Sequence, residues 1–163
     1  MCRWLAYSGS PVLIKELLLE PQHSLIDQSL HSRLGAETTN GDGFGIGWYG
    51  VGESPGVFHS VEPAWNDRNL RDLSAHIRSP LVFAHIRASS GSPVQLTNCH
   101  VSTLRHQHPD NPVLHQLSDE SRVVVSEPLG DLAGAWNEVP ESSYGVIQDG
   151  RDELRPFAPR PPS

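Results

Sequence analysis

Cysteine is scarce in this chain, with only Cys2 and Cys99 in 163 residues, too few for the disulfide framework that staples a small secreted domain. Such usage suits a reducing, cytoplasmic setting. No run of 18 apolar residues occurs, and Arg3, Lys15, Glu16 and Glu20 interrupt the apolar residues of the N-terminus, so neither a membrane span nor a signal peptide is expected. Basic charge is also in deficit. Lys and Arg number 12 against 19 Asp and Glu, and the formal charge of -7 offers no attractive field to nucleic acid or to an anionic membrane. Hydrophobic residues reach only 37%, while 14 Gly and 14 Pro predict many turns around a modest core. The length suits one compact domain and is short for two.

Residues 3–8 (RWLAYS) read as a short strand closed by the turn signal Ser8-Gly9-Ser10-Pro11, which puts Cys2 at the start of a strand. Val12, Leu13, Leu17 and Leu18 recur at helical spacing before Pro21, and residues 23–30 suggest a second short helix. From Asn40 to Tyr49 glycine alternates with larger residues, as in a central strand closely approached by other backbone, with residues 57–61 as its hairpin partner. Asn66 is placed to cap a helix carrying Leu70, Leu73 and Ile77 as far as Arg78. Residues 81–87 (LVFAHIR) then form a buried strand ending in a charge. The stretch 101–121 contains prolines and histidines with little apolar periodicity and is expected to be irregular. Order returns in the β-branched run 122–126 and in residues 144–155, where Asp149-Gly150 marks a hairpin turn, and 158–163 (APRPPS) read as a disordered tail.

Cys2 directly follows the initiator methionine. Removing Met1 leaves a thiol and an α-amine on one residue, and with reference pKa values of about 8.5 and about 7.7–8.0 the neutral amine can take the thiol proton near neutral pH. Taken alone, a second-position cysteine is more often an ordinary residue. The segment GDGFGIG falls inside an expected strand instead of opening a helix, so its glycines imply no nucleotide cofactor. His100, His106, His108 and His115 lie on an irregular stretch without the fixed ligand pairs of a zinc site, and no metal is assigned to them.

Four segments occur in order: Met1-Cys2-Arg3-Trp4-Leu5-Ala6-Tyr7, Asn40-Gly41-Asp42-Gly43-Phe44-Gly45-Ile46-Gly47-Trp48-Tyr49, Pro63-Ala64-Trp65 and Phe83-Ala84-His85-Ile86-Arg87-Ala88-Ser89. Together they resemble the class II glutamine amidotransferases of the N-terminal-nucleophile superfamily. The likeness is strongest to the branch of γ-glutamyl amide hydrolases acting in ergothioneine synthesis and glutathione breakdown. The resemblance implies an α+β fold, an αββα sandwich of two antiparallel sheets, and a small-molecule γ-glutamyl substrate with no cofactor. It further implies that Cys2 is the catalytic nucleophile, attacking a γ-glutamyl amide to form a thioester. By the same likeness Arg87 binds the substrate's α-carboxylate, for which a guanidinium supplies two parallel hydrogen bonds. His85 invites a catalytic role, but the family needs no histidine base and this residue is read as structural.

After Thr97-Asn98-Cys99-His100 the family continues into a strand and a His-Asn-Gly segment that forms the oxyanion hole. That segment does not occur here, and Asn40-Gly41, the sole Asn-Gly, lies upstream. Residues 123–129 and 136–140 resemble the family's C-terminal end. The chain is therefore expected to be a single domain over 1–157, with residues 1–100 as its N-terminal portion, 101–121 as an irregular junction and 122–157 as its C-terminal portion. On this reading the sandwich is incomplete and lacks the family's middle. The resemblance implies a thioester-forming amidotransferase with impaired activity; the alternative is a non-catalytic remnant that binds a protein subunit through exposed sheet edges.

Overall fold

The computed structural model describes residues 2–31, 39–88, 97–130 and 135–159. Its organising element is β1 (Arg3–Leu13), which buries Arg3, Leu5 and Tyr7 on one face and turns Trp4, Ala6 and Ser8 to the other. There follow α1 (Ile14–Leu18), α2 (Leu25–Leu30), β2 (Phe44–Tyr49), β3 (Gly56–Ser60), a 3-10 turn (Ala64–Asn66), α3 (Arg68–His76) and β4 (Arg78–Ile86). The second half holds β5 (Thr97–His100), α4 (Val101–Gln107), α5 (Pro112–Gln116), β6 (Arg122–Val125), β7 (Asn137–Glu138), β8 (Ser143–Gln148) and β9 (Arg151–Pro156).

Seven strands form one sheet in the order β3-β2-β4-β1-β6-β5-β7, and β8 and β9 pair separately as a two-stranded sheet. All these pairings are antiparallel. Across the centre, Leu5 stands opposite Ala84 and Val125, and Tyr7 opposite Val82 and Val123, so matching pleats bring apolar side chains to one face. Ile14, Leu17 and Leu18 of α1, Leu25 and Ile26 of α2 and Leu70 of α3 complete that core. The other face leaves Trp4, Tyr49, Val57 and Phe83 substantially exposed. The chain is thus α+β and dominated by antiparallel sheet, as expected. Among the described residues the second sheet is the β8–β9 hairpin.

Several local expectations need correction. Gly9-Ser10-Pro11 is no chain reversal: β1 continues through it, with an irregularity between Ser8 and Val12. A side chain at Gly9 would collide with Ser121, and the Ser118 amide donates to the Ser10 hydroxyl at 2.7 Å, so contacts from distant sequence hold the bulge in the sheet, helped locally by the Tyr7 hydroxyl donating to the Ser10 carbonyl at 2.6 Å. Val12 and Leu13 consequently belong to the strand, and the helix starts at Ile14. The cap of α3 is Asp67, whose carboxylate accepts from the Leu70 amide at 2.9 Å; Asn66 ends the preceding turn. Residues 40–43 precede β2 and are not strand. The junction is also more ordered than expected, containing α4 and α5. Arg105 ties them together, donating to the carbonyls of Leu114 and Leu117 at 3.1 and 2.6 Å and pairing with Asp119. Two helices this short carry too few turns to show a period. Residues 160–163 of the expected tail lie outside the described residues.

Leu5 is fully buried under the helices. Leu5→Ala should lower stability by about 2–5 kcal/mol in urea unfolding, whereas Val57→Thr on the open face should stay within about 0.5 kcal/mol.

Candidate active site

Ile86 pairs with Arg3 on one side and Phe44 on the other, which brings the start of β1, the end of β4 and the start of β2 to one sheet edge. One residue outward on each strand stand Cys2, Arg87 and Gly43. The Arg87 amide donates to the Gly43 carbonyl at 2.9 Å. Gly43 has φ +107°, and a side chain there would press on the Ser60 carbonyl, so glycine is required for this approach.

The half-buried Cys2 sulfur sits against Ala88, accepting from its amide and facing its carbonyl, both at 3.5 Å. Arg87 is exposed and makes no ion pair among the described residues. The structure therefore brings the two residues singled out by sequence to the same sheet end, with Arg87 immediately before the residue that contacts the thiol. His85 stacks against Trp4 with ring centroids 4.9 Å apart. Burial, reinforced by the neighbouring Arg87 charge, moves its pKa below the ordinary value.

Beneath Cys2 lies a charged group that sequence reasoning missed. The fully buried Arg3 guanidinium donates to the Cys2 carbonyl at 3.4 Å and pairs with Glu127 at 3.0 Å. The other Glu127 oxygen is 2.5 Å from His23 Nε2, and His23 Nδ1 is 2.9 Å from Asp27. Asp27 also holds the exposed His31 at 3.0 Å, while Gln28 donates to the carbonyls of Glu127 and His23. Burial lowers the pKa of Arg3, opposed by the charges of Glu127 and of an ionised Cys2. At Asp27 burial acts upward, but hydrogen bonds from His23 and His31 outweigh it and hold the carboxyl below its usual range. Glu127 lies 104 positions from His23, so no local spacing announces the contact. The local traces are the i, i+4 spacing of His23, Asp27 and His31 and Ser24, which caps α2 by accepting from the Asp27 amide.

The second thiol differs in kind. Cys99 is fully buried in β5, and burial pushes it up to about 11, which leaves it protonated and inert at neutral pH. Asn40 is also fully buried, and its side-chain oxygen and nitrogen find no partner among the described residues. A cavity of about 470 Å³ opens elsewhere, between α1, the α4–α5 pair and Trp136, and neither Cys2 nor Arg87 lines it. Among the described residues no three His, Cys, Asp or Glu side chains are grouped to hold a metal ion, and no helix is long and apolar enough to cross a membrane.

The family model for class II glutamine amidotransferases matches residues 16–114, more than half of the chain. The chain belongs to the class II glutamine amidotransferases. It is 42% identical over 167 residues to the probable glutamine amidotransferase DUG3 of Saccharomyces cerevisiae, a match covering 97% of this chain and 44% of that protein. It is 30% identical over 99 residues to the gamma-glutamyl-hercynylcysteine sulfoxide hydrolase of Mycobacterium tuberculosis strain H37Rv, covering 60% of this chain and 42% of that one. The chain thus spans less than half the length of these curated relatives. A solved class II domain protein from Silicibacter pomeroyi shares the fold, with a TM-score of 0.55 at 19% identity over 97% of this chain and all of that one.

Because the Asp27 carboxyl is held below its ordinary 3.8, its contribution to stability is complete above that value and is lost as pH falls through the lower folded-state value. In urea unfolding between pH 6 and pH 2, the parent should be more stable than Asp27→Asn at the upper end. That advantage should vanish towards the acid end.

Proposed function

We propose that this amidotransferase-family chain is a single domain over residues 1–157 that hydrolyses or transfers a small-molecule γ-glutamyl amide through a thioester on Cys2. The observation that carries the reading is the contact of the Cys2 sulfur with both backbone groups of Ala88 at 3.5 Å, one residue beyond the exposed Arg87. An attacking thiol must be held still and reachable from solvent, and Cys2 is only half-buried while Cys99 is sealed. Arg87 receives the substrate's α-carboxylate in a bidentate grip, which orients the amide carbon towards sulfur.

In the forward step the freed α-amine takes the thiol proton as sulfur bonds to the amide carbon. The tetrahedral oxyanion then collapses as the α-ammonium gives its proton to the amide nitrogen, the C–N bond breaks, and ammonia or the substrate's amine leaves, giving the thioester. Water attacks the thioester carbon in hydrolysis, and an acceptor amine does so in transfer. The names of the relatives, a glutamine amidotransferase and a γ-glutamyl hydrolase, are in keeping with this substrate class. The oxyanion is the weak point, because the sequence has no His-Asn-Gly segment, and losing one oxyanion donor typically costs about 10²–10³ in rate. Turnover by the chain as it stands is accordingly slow. Its setting is cytoplasmic.

A second reading, a non-catalytic binding form, draws on the β8–β9 hairpin. Tyr144, Val146, Ile147 and Leu154 are 37–48% exposed there, and its strands present free edges to a protein subunit.

Intact-mass measurement on protein made in cells should show Met1 removed; retention in most molecules would block the α-amine and sink the mechanism. A glutamine-like diazo-ketone should then label Cys2 at least about tenfold faster than Cys99. Arg87→Ala should slow labelling by that analogue while leaving iodoacetamide alkylation unchanged, since only the analogue carries the carboxylate. Equal slowing of both reagents would mean that Arg87 supports the strand end and not the ligand.

A further inference from the structure

The cavity between α1, the α4–α5 pair and Trp136 has a volume of about 470 Å³, inside the range of about 300–1,000 Å³ that small-molecule sites occupy. Protein interiors are otherwise filled almost to crystal density, so apolar walls around so large a space favour an occupant with an apolar body. Leu17 of α1, Leu104 of α4, Leu114 of α5, Leu117 and Val123 of β6 supply such walls, and Trp136 adds an aromatic ring. The fixed charges of the lining have one sign. Glu16 and Glu20 both line the cavity, and among the described residues no Lys or Arg does. The two carboxylates are not equivalent. Glu20 pairs with Lys15 at 2.9 Å, whereas one Glu16 oxygen accepts from the Leu13 amide at 2.9 Å and no ion pair holds that carboxylate among the described residues. Arg105, which ties α4 to α5, lies outside the lining and pairs with Asp119 at 2.6 Å. His108 is the other ionisable residue of the lining.

We propose that this cavity binds a small organic amine with an apolar or aromatic body, at a site separate from Cys2. The ammonium group lies against Glu16 and the body against Leu17, Leu117 and Trp136, whose ring attracts a cation by its face as well as an apolar group. An anion of the same shape would meet two carboxylates and is disfavoured. The wall formed by α1 comes before β2 in the chain and the opposite wall comes after β5, so the ligand bridges the chain's first and second parts. Because it binds the folded chain, it raises the melting temperature.

Three compounds with one body and different heads provide the test: phenylbutylamine, phenylbutanol and phenylbutyrate. Each is titrated into the full chain at pH 8 and followed by the indole N–H resonance of Trp136, which Trp136→Phe identifies. The amine should shift that resonance and bind about 3- to 10-fold more tightly than the alcohol, with the carboxylate weakest. Glu16→Gln keeps an oxygen for the Leu13 amide and removes the charge; it should bring the amine to the alcohol's affinity and leave the alcohol's unchanged. Labelling of Cys2 by the glutamine-like diazo-ketone should keep its rate when the amine is saturating. Equal affinity of amine and alcohol in the parent overturns the proposal without any variant, so it stays testable even if Glu16→Gln does not fold. Tightest binding of the carboxylate overturns it too, by giving control to His108. So does a shift of the Trp4 resonance in place of that of Trp136, which would put the amine on the open sheet face, or slowed Cys2 labelling, which would put it at the thiol. A Trp136 resonance that moves with protein concentration alone would mark the cavity as covered by a second copy, and overturns the proposal as well.

Discussion

Hydrogen bonding along both edges of β1 is the constraint on which the rest depends. Flanked by β4 on one side and β6 on the other, its first residues cannot shift without breaking two ladders. Cys2 is held at the end of that strand, and the chain's second half returns through β6 to grip the same residues. Ser126 holds Trp4 from both sides of its peptide: its hydroxyl accepts from the Trp4 amide at 2.8 Å, and its own amide donates to the Trp4 carbonyl at 3.1 Å. The next residue, Glu127, reaches under the strand to Arg3. A segment more than a hundred residues downstream thereby supports the N-terminal thiol.

The sheet has two very different faces. One is closed by α1, α2 and α3 over Leu5, Tyr7, Val82 and Ile86, while the other exposes Trp4 and Phe83 in the centre and Val57 near one edge. Covering that second face would remove much apolar surface from water. The β8–β9 hairpin meets the main sheet through Arg122, which bonds the Gly150 carbonyl and pairs with Asp152 at 3.2 Å. An isolated two-stranded sheet is marginal in water, so this anchor carries much of the hairpin's placement.

The two thiols illustrate how environment separates like groups. Cys99 sits under a complete layer and is driven towards the protonated form, whereas Cys2 stands at a sheet end beside a buried cation. Of the two, Cys2 has the solvent access that a reacting thiol needs, and Cys99 does not.

What could be read from sequence was whatever depends on neighbours along the chain. The alternation of Arg3-Trp4-Leu5-Ala6-Tyr7 revealed a strand, the glycine-spaced run up to Tyr49 revealed β2, and Asp149-Gly150 revealed the β8–β9 turn, whose two residues have φ of 50° and 72°. Cys2 and Arg87 were singled out through the order of the motifs around them, and the fold brings both to one sheet end. The bulge at Gly9, the helices α4 and α5, and the Arg3–Glu127–His23 group were settled by tertiary structure. Each depends on partners brought from far along the chain, such as Ser121 against Gly9 and Glu127 against His23, or on helices too short to display a period. A pattern of nearest neighbours can say that a strand exists and which face is apolar; which distant carboxylate will lie beneath its first residue is decided when the sheet closes around it.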